Sequence, residues 1–189
     1  QVWLAASTHP GEEEIVIEAH KILRTRHPSL LTVIAPRHPA RRDDIADLLK
    51  SKPIEFSRRS LGEEPRREIY LADTLGELGL FYRLSRLAFI GGSMGVHGGH
   101  NPIEAASLNC AIIHGPDMGN FKAVADELHN AGGAVIVDSP ETLADAVGRF
   151  LSDTSMMEHV TAAARRVAIE NMGAVDRIYN AVANVMDSS

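Results

Sequence analysis

Leu87-Ala88-Phe89-Ile90 runs straight into Gly91-Gly92-Ser93-Met94-Gly95, and Gly98-Gly99-His100-Asn101-Pro102 then opens onto Ile103-Glu104-Ala105-Ala106-Ser107-Leu108. Four apolar residues ending at a glycine pair read as a short strand buried on both faces. Proline suits the first position of a helix, where its missing N–H would be unpaired anyway. The stretch is therefore strand, glycine-rich loop, helix. The same alternation continues outward in both directions. Residues 2–6, 30–35, 54–57, 68–72, 111–113 and 134–137 read as further strands, the one at 54–57 weakly. Helical patterns lie between them, at about 12–26, 40–49, 78–85, 120–130 and 140–151. Glu12, Glu13 and Glu14 fall in a first helical turn, where acid complements the helix dipole. From Thr154 the chain reads as helix to near its end, with a break near Gly173. Short strands alternating with helices predict an α/β fold: an open, mostly parallel sheet with helices on both faces.

A length of 189 residues suits one sizeable domain and is marginal for two. With 44% hydrophobic residues, a packed core is within reach and disorder is excluded. The net charge of −6 argues against a nucleic-acid partner, which calls for a basic surplus. Basic residues are concentrated early: residues 1–70 hold 12 Lys/Arg and 11 Asp/Glu, residues 71–189 hold 7 and 14. Arg41, Arg42, Arg58, Arg59, Arg66 and Arg67 form three pairs there. They read by default as solvated surface; an anionic ligand or membrane surface is the alternative. Cys110 has no second cysteine and sits before Ala111-Ile112-Ile113, so it reads as a small buried hydrophobe. No apolar run reaches the ~18 residues that span a bilayer, and no signal peptide is seen. The chain opens at Gln1 directly into a strand, which reads as a piece of a longer protein.

In open α/β sheets ligands bind outside the carboxyl ends of the strands. Polar or glycine-rich segments fall there at 7–12, 36–38, 73–77, 91–101 and 114–120, so a ligand crevice is expected. Glycines at 91, 92, 98 and 99 would let backbone amides approach a ligand, and the helix start near Pro102 suits a phosphate. Glu104 could accept hydrogen bonds from a ribose diol; otherwise it serves the helix dipole. Arg37 is a planar cation suited to phosphate or carboxylate, with His38 beside it; otherwise both belong to a proline-stiffened turn. Ser7, Thr8 and His9 hold the equivalent place after the first strand, facing an anion or capping a helix. The dinucleotide fingerprint and the P-loop are both missing. Histidines stand at 9, 20, 27, 38, 97, 100, 114, 129 and 159, without a His-Glu-x-x-His pattern, so no metal is expected. Gly91-Gly92-Ser93-Met94-Gly95 formally completes Gly-x-Ser-x-Gly, but the helix is postponed by several residues, against a serine hydrolase.

Four motifs occur in order: Ala6-Ser7-Thr8-His9-Pro10-Gly11-Glu12-Glu13, Ala35-Pro36-Arg37-His38-Pro39, Asp73-Thr74-Leu75-Gly76-Glu77-Leu78, and Gly91-Gly92-Ser93 with Gly98 to Glu104. Together they resemble the carboxyl-terminal domain of the 3-deoxy-D-manno-octulosonic acid (Kdo) transferases, across residues 1–178. The resemblance implies one Rossmann-like half of a GT-B glycosyltransferase, which binds the donor CMP-Kdo and needs no cofactor. The amino-terminal half, with the acceptor site and general base, would be absent, so no catalytic residue is expected here. It implies donor contacts from Ser7, Thr8, Arg37, His38, Gly92, Ser93, Asn101 and Glu104, with Asp73, Leu75, Gly76 and Glu77 lining the nucleotide pocket. Residues 1–153 would form the donor domain, and 154–189 a helical segment packing back toward the missing half. The parent would transfer Kdo to the lipid A precursor at the cytoplasmic face of the bacterial inner membrane, and this part would be soluble. Two rivals stay open: a GT-B transferase or epimerase using a UDP-sugar, and a non-catalytic α/β binding domain.

Overall fold

The structure, a computed structural model, describes residues 1–187, with side chains through residue 173. Seven strands form: β1 (Val2–Thr8), β2 (Leu31–Pro36), β3 (Phe56–Arg58), β4 (Ile69–Leu71), β5 (Leu87–Ile90), β6 (Ala111–His114) and β7 (Ala134–Ile136). They lie in one sheet in the order β3-β4-β2-β1-β5-β6-β7, and every pairing is parallel. Parallel neighbours need helical crossovers. These are α1 (Glu12–Arg24), α2 (Arg42–Lys50), α3 (Leu78–Ser85), α4 (Ile103–Ser107), α5 (Lys122–Asn130) and α6 (Pro140–Ser152), and the chain ends in α7 (Thr154–Asp187).

The side-chain period of two sorts each strand between two cores. Trp3 and Ala5 of β1 point to one face, with Val16, Ile17, Ile45, Leu49, Leu143 and Phe150 of α1, α2 and α6. Leu4 and Ala6 point to the other, with Phe81, Ala105, Leu128, Ala164 and Val167 of α3, α4, α5 and α7. At the first core, Trp3 Nε1 donates to Thr32 Oγ1 at 2.7 Å, and that hydroxyl also meets His20 Nδ1 at 2.8 Å. Cys110 is buried, its thiol pushed up to about 12 by burial, and its Sγ donates to the Tyr82 carbonyl. It is a core residue.

Two boundaries differ from expectation. The helix after Pro102 has only five residues. The terminal helix carries on through Gly173 without a break. Its first half packs on α4, α5, α6 and β6, burying Ala163, Ala164, Val167 and Ala168. Such packing outweighs one helical glycine, which costs about 1 kcal/mol. The side chains that would meet a missing half lie partly outside the described residues.

Candidate functional site

The chain leaves β1 to build β2 on one side and later returns to place β5 on the other, so the topology switches between β1 and β5. A crevice opens at such a point because the two connections leave in opposite directions. The loops after β1 and β5 are pressed together there. Gly91 N donates to Ala6 O at 2.7 Å, and a Cβ on Gly91 would collide with the Ser7 carbonyl. Glycine is required by that approach alone. At the other wall of the switch, Ser7 takes φ +56° at a register irregularity in β1. This unfavourable conformation sits where a side chain is re-aimed toward the crevice.

Beneath the β5 loop lies a buried carboxylate. Glu12 accepts from Gly92 N (2.7 Å), Ser93 N (3.0 Å), Met94 N (3.0 Å) and His9 N (2.9 Å). Gly92, at φ +71°, turns the loop so that three successive amides face one acceptor. A carboxylate in a nest of amides makes strong, charge-assisted bonds. The amides of Gly92 and Ser93 are thus committed to Glu12, not held open for a ligand. The Ser93 hydroxyl is equally occupied, donating to Ile90 O and accepting from Gly115 N. Ser93 therefore shapes the loop, and no histidine stands on its hydroxyl.

Thr8 is also buried. Its hydroxyl donates to Glu13, which holds the Arg41 guanidinium through two bonds of 2.8 and 3.1 Å. Of the three first-turn glutamates only Glu14 is exposed. Asp73 and Glu77, expected as pocket lining, are turned into ion pairs instead. Asp73 meets Arg58 Nε at 3.1 Å and accepts from the Ser60 amide and hydroxyl. Burial pushes its carboxyl up, but the Ser60 and Arg58 hydrogen bonds prevail and hold it below the usual range. Glu77 is brought down to about 2 by Arg59, with help from the Thr74 hydroxyl. Asn101 is exposed, and its Oδ1 accepts from Ile103 N, the first residue of α4. That bond takes one of the free N–H groups expected at this helix start.

Ser7, Arg37, Leu75 and Gly76, with Ala35, Ala72 and Phe81, line a cleft of about 160 Å³ over the ends of β1, β2 and β4. Arg37 is exposed and has no ion pair among the described residues. Glu104 is exposed next to Gly79 of α3, in the neighbourhood of Arg83 and Leu108, and does not line this cleft. Four imidazoles connect the cleft to the β5 loop. His9 Nε2 lies 2.8 Å from His100 Nε2; its ring stacks on His97 at 4.1 Å and meets His38 edge-on at 5.9 Å. A 2.8 Å contact between two ring nitrogens requires one donor and one acceptor, hence at least one neutral ring. Burial, followed by the charges of His97 and His100, lowers His9 to about 4. Burial, followed by Arg37, lowers His100. Among the described residues, no group of three or more His, Cys, Asp or Glu is arranged to hold a metal.

The loop after β6 braces the assembly: Gly98 N donates to Asp117, and Asn120 binds Gly98 O and His97 O. Four of the five strand-end loops are therefore joined by hydrogen bonds, and the fifth, 73–77, shares the lining of the cleft with Ser7 and Arg37. Glu12 and the joining of His9, His97 and His100 were not visible in sequence. The only signal for the latter was histidines in two of the motif loops.

No family model matches the chain. It is 39% identical to the 3-deoxy-D-manno-octulosonic acid transferase of Haemophilus influenzae, over 94% of this chain and 42% of that protein. The Bordetella pertussis transferase is 34% identical over 94% of this chain and 43% of its own length. Among solved structures, the C-terminal CMP-Kdo binding domain of WaaA from Acinetobacter baumannii superposes with a TM-score of 0.84. That match is 33% identical and covers 88% of both chains. The chain belongs to the Kdo transferase family. It spans about two fifths of the length of the curated family members it matches and corresponds to their C-terminal, GT-B half-domain. Among its described residues no helix is long and apolar enough to cross a membrane.

Proposed function

We propose that this chain is the donor-binding half of a Kdo transferase and holds CMP-Kdo over the β1/β5 switch point. The observation that carries the reading is Arg37. It is an exposed guanidinium with no ion pair among the described residues, on the rim of the cleft and beside the histidine group. The A. baumannii CMP-Kdo binding domain supports the choice of donor.

In this reading Arg37 meets the single phosphate of CMP-Kdo, with His38 beside it. Ser7, Leu75 and Gly76 line the nucleotide cleft, Glu104, which stands outside that lining, receives the ribose diol, and Asn101 borders the sugar. Thr8, Gly92 and Ser93 act by shaping the walls, since their polar groups are spent inside the protein. An acceptor hydroxyl attacks the anomeric carbon of Kdo, the bond to the phosphate oxygen breaks, and CMP leaves with the electron pair. Charge gathering on that phosphate is met by Arg37, which is electrostatic stabilisation of the transition state. The hydroxyl proton goes to a base on the amino-terminal half, which also holds the lipid A precursor at the inner membrane. In this reading residues 1–153 are the body of the donor domain, the first half of α7 closes its core, and the segment beyond leads toward that half.

Calorimetric titration with CMP, UMP and UDP tests this. CMP should bind best, and Arg37→Ala or Glu104→Ala should weaken it at least tenfold. Preference for UDP would overturn the donor while keeping the fold. Failure to bind any of the three would overturn the claim that this half carries the donor site by itself.

A further inference from the structure

His9 and His100 join the loops after β1 and β5 through two ring nitrogens 2.8 Å apart. Such a contact admits two states. In one, both rings are neutral, and the N–H of one donates to the lone pair of the other. In the second, the donating ring carries an added proton on its far nitrogen, and the same contact persists with charge assistance. A further proton would set N–H against N–H and break it. The pair can therefore take up one proton without moving.

Its surroundings hold that proton off. Both rings are half-buried, and the His97 and His38 rings lie against His9. Burial acts first; the charges of His97 and His100 then bear on His9, and that of Arg37 on His100. Glu12 acts in the other direction on both rings, but its carboxylate already accepts four N–H groups. The other acids nearby are turned away: Asp117 onto Gly98 N and Gly119 N, Glu13 onto Arg41.

An anion on Arg37 reverses this balance. It cancels the repulsion from the guanidinium and adds a negative charge of its own. CMP-Kdo would bring two negative charges to one carbon, because the sugar is a 2-keto acid whose carboxylate and phosphate oxygen share the anomeric carbon. Arg37 supplies one fixed positive charge. The Gly92, Ser93 and Met94 amides cannot supply another, since they face Glu12.

We propose that an anion held by Arg37 draws one proton from solvent onto the His9–His100 pair, which becomes the second positive charge of the donor site. The identity of the donor rests on the function proposed above; the anion-linked proton rests on Arg37 and the two rings. Linkage fixes the sign. The occupied site holds the proton more tightly than the empty one, so affinity is greatest at low pH. It falls as pH rises through the pKa of the occupied pair, by at most about tenfold per pH unit for one proton.

The test uses the methyl ester of CMP, a phosphodiester like the donor, whose phosphate does not titrate in the working range. Calorimetry at pH 6 in buffers of different ionisation heat counts the protons taken up. The chain should take up roughly half to one proton per ester bound, and bind it at least tenfold more tightly at pH 5.5 than at pH 7.5. His9→Gln with His100→Gln keeps hydrogen-bonding side chains that cannot titrate, and should abolish both effects. His159→Gln, exposed on α7, should change neither. Circular dichroism verifies the fold of each variant. Ring-proton NMR of the unaltered chain adds a readout that needs no nucleotide: inorganic sulfate should raise the titration midpoint of the pair by at least one pH unit, and Arg37→Ala should remove that rise. Ester binding without proton uptake, or uptake that survives loss of both rings, would overturn the proposal and leave the donor function standing. A sulfate-driven rise without ester binding would support the anion-linked proton and overturn the donor function. No rise with either anion would overturn the proposal.

Discussion

Replacing Glu12 by Gln changes one atom in a buried place and should unsettle the whole β5 loop. The carboxylate accepts four N–H bonds, two on each oxygen: His9 and Gly92 on Oε2, Ser93 and Met94 on Oε1. Gln keeps one acceptor oxygen and presents an NH₂ to the other pair. Two largely buried donors then face a donor. Each such loss costs about 1–3 kcal/mol, and the two surviving bonds lose their charge assistance. Allowing for a small loop shift, the sum is about 3 kcal/mol. For a domain of this length that lowers Tm by roughly 6–12 °C. Glu14→Gln is the matched control: the same helix turn and charge change, but an exposed side chain serving only the helix dipole. It should cost at most about 1 kcal/mol. Thermal unfolding followed by circular dichroism at pH 7.5 reads both. If Glu12→Gln lowers Tm no more than Glu14→Gln, the loop does not depend on the carboxylate and the reasoning is wrong.

Gly91→Ala should cost roughly 3 kcal/mol or more, because its Cβ would strike the Ser7 and Ala6 backbones, which cannot move aside. Gly95→Ala meets only the His97 ring at 3.8 Å and should leave Tm unchanged; equal effects would refute the close approach. Stability should also fall as pH drops below 6.5. Burial, with the nearby Arg24 charge, lowers His20 to about 4, so between those values the unfolded chain binds the proton more readily. The contribution is full above pH 6.5 and is lost toward pH 4; the whole gap is worth up to roughly 3 kcal/mol for this 1%-exposed ring. Its Nε2 is 4.0 Å from Glu68, but Arg24 holds that carboxylate at 2.7 Å, so relief is small. His9, lowered to about 4 but only partly buried, adds less. Tm should drop by several degrees from pH 7.5 to 5, and His20→Gln should flatten part of that drop; a level profile, or an identical drop in the variant, contradicts the assignment.

Much of the fold was legible because parallel strands buried on both faces leave unbroken apolar runs. Leu87–Ile90 and residues 111–113 are such runs, and the strand weakly expected at 54–57 forms at Phe56–Arg58. Local chemistry also puts Arg37, Leu75 and Ser7 at strand ends; the structure groups them around one cleft, with Ser7 still inside β1 at its irregularity. The readings that changed concern charge. By sequence Glu12 belongs to the first turn of its own helix, yet three of its four partners lie 80 or more positions away. The resemblance sets Asp73 and Glu77 toward a nucleotide, and Arg58 and Arg59 fall by default to solvated surface; in the fold each acid is spent on one of those arginines.

Sequence alone therefore determined the strand–helix alternation, the parallel sheet and the loops that carry the site, because periodicity and turn chemistry act over a few residues. It also showed the family resemblance through four ordered motifs. Only the tertiary structure decided which polar groups remain available. A carboxylate or guanidinium has no preferred partner in sequence, and its desolvation is compensated by whichever opposite charge or amide the fold brings within about 3 Å. That is why Glu12 is enclosed by the β5 loop and why Arg37 keeps no ion pair among the described residues at the cleft.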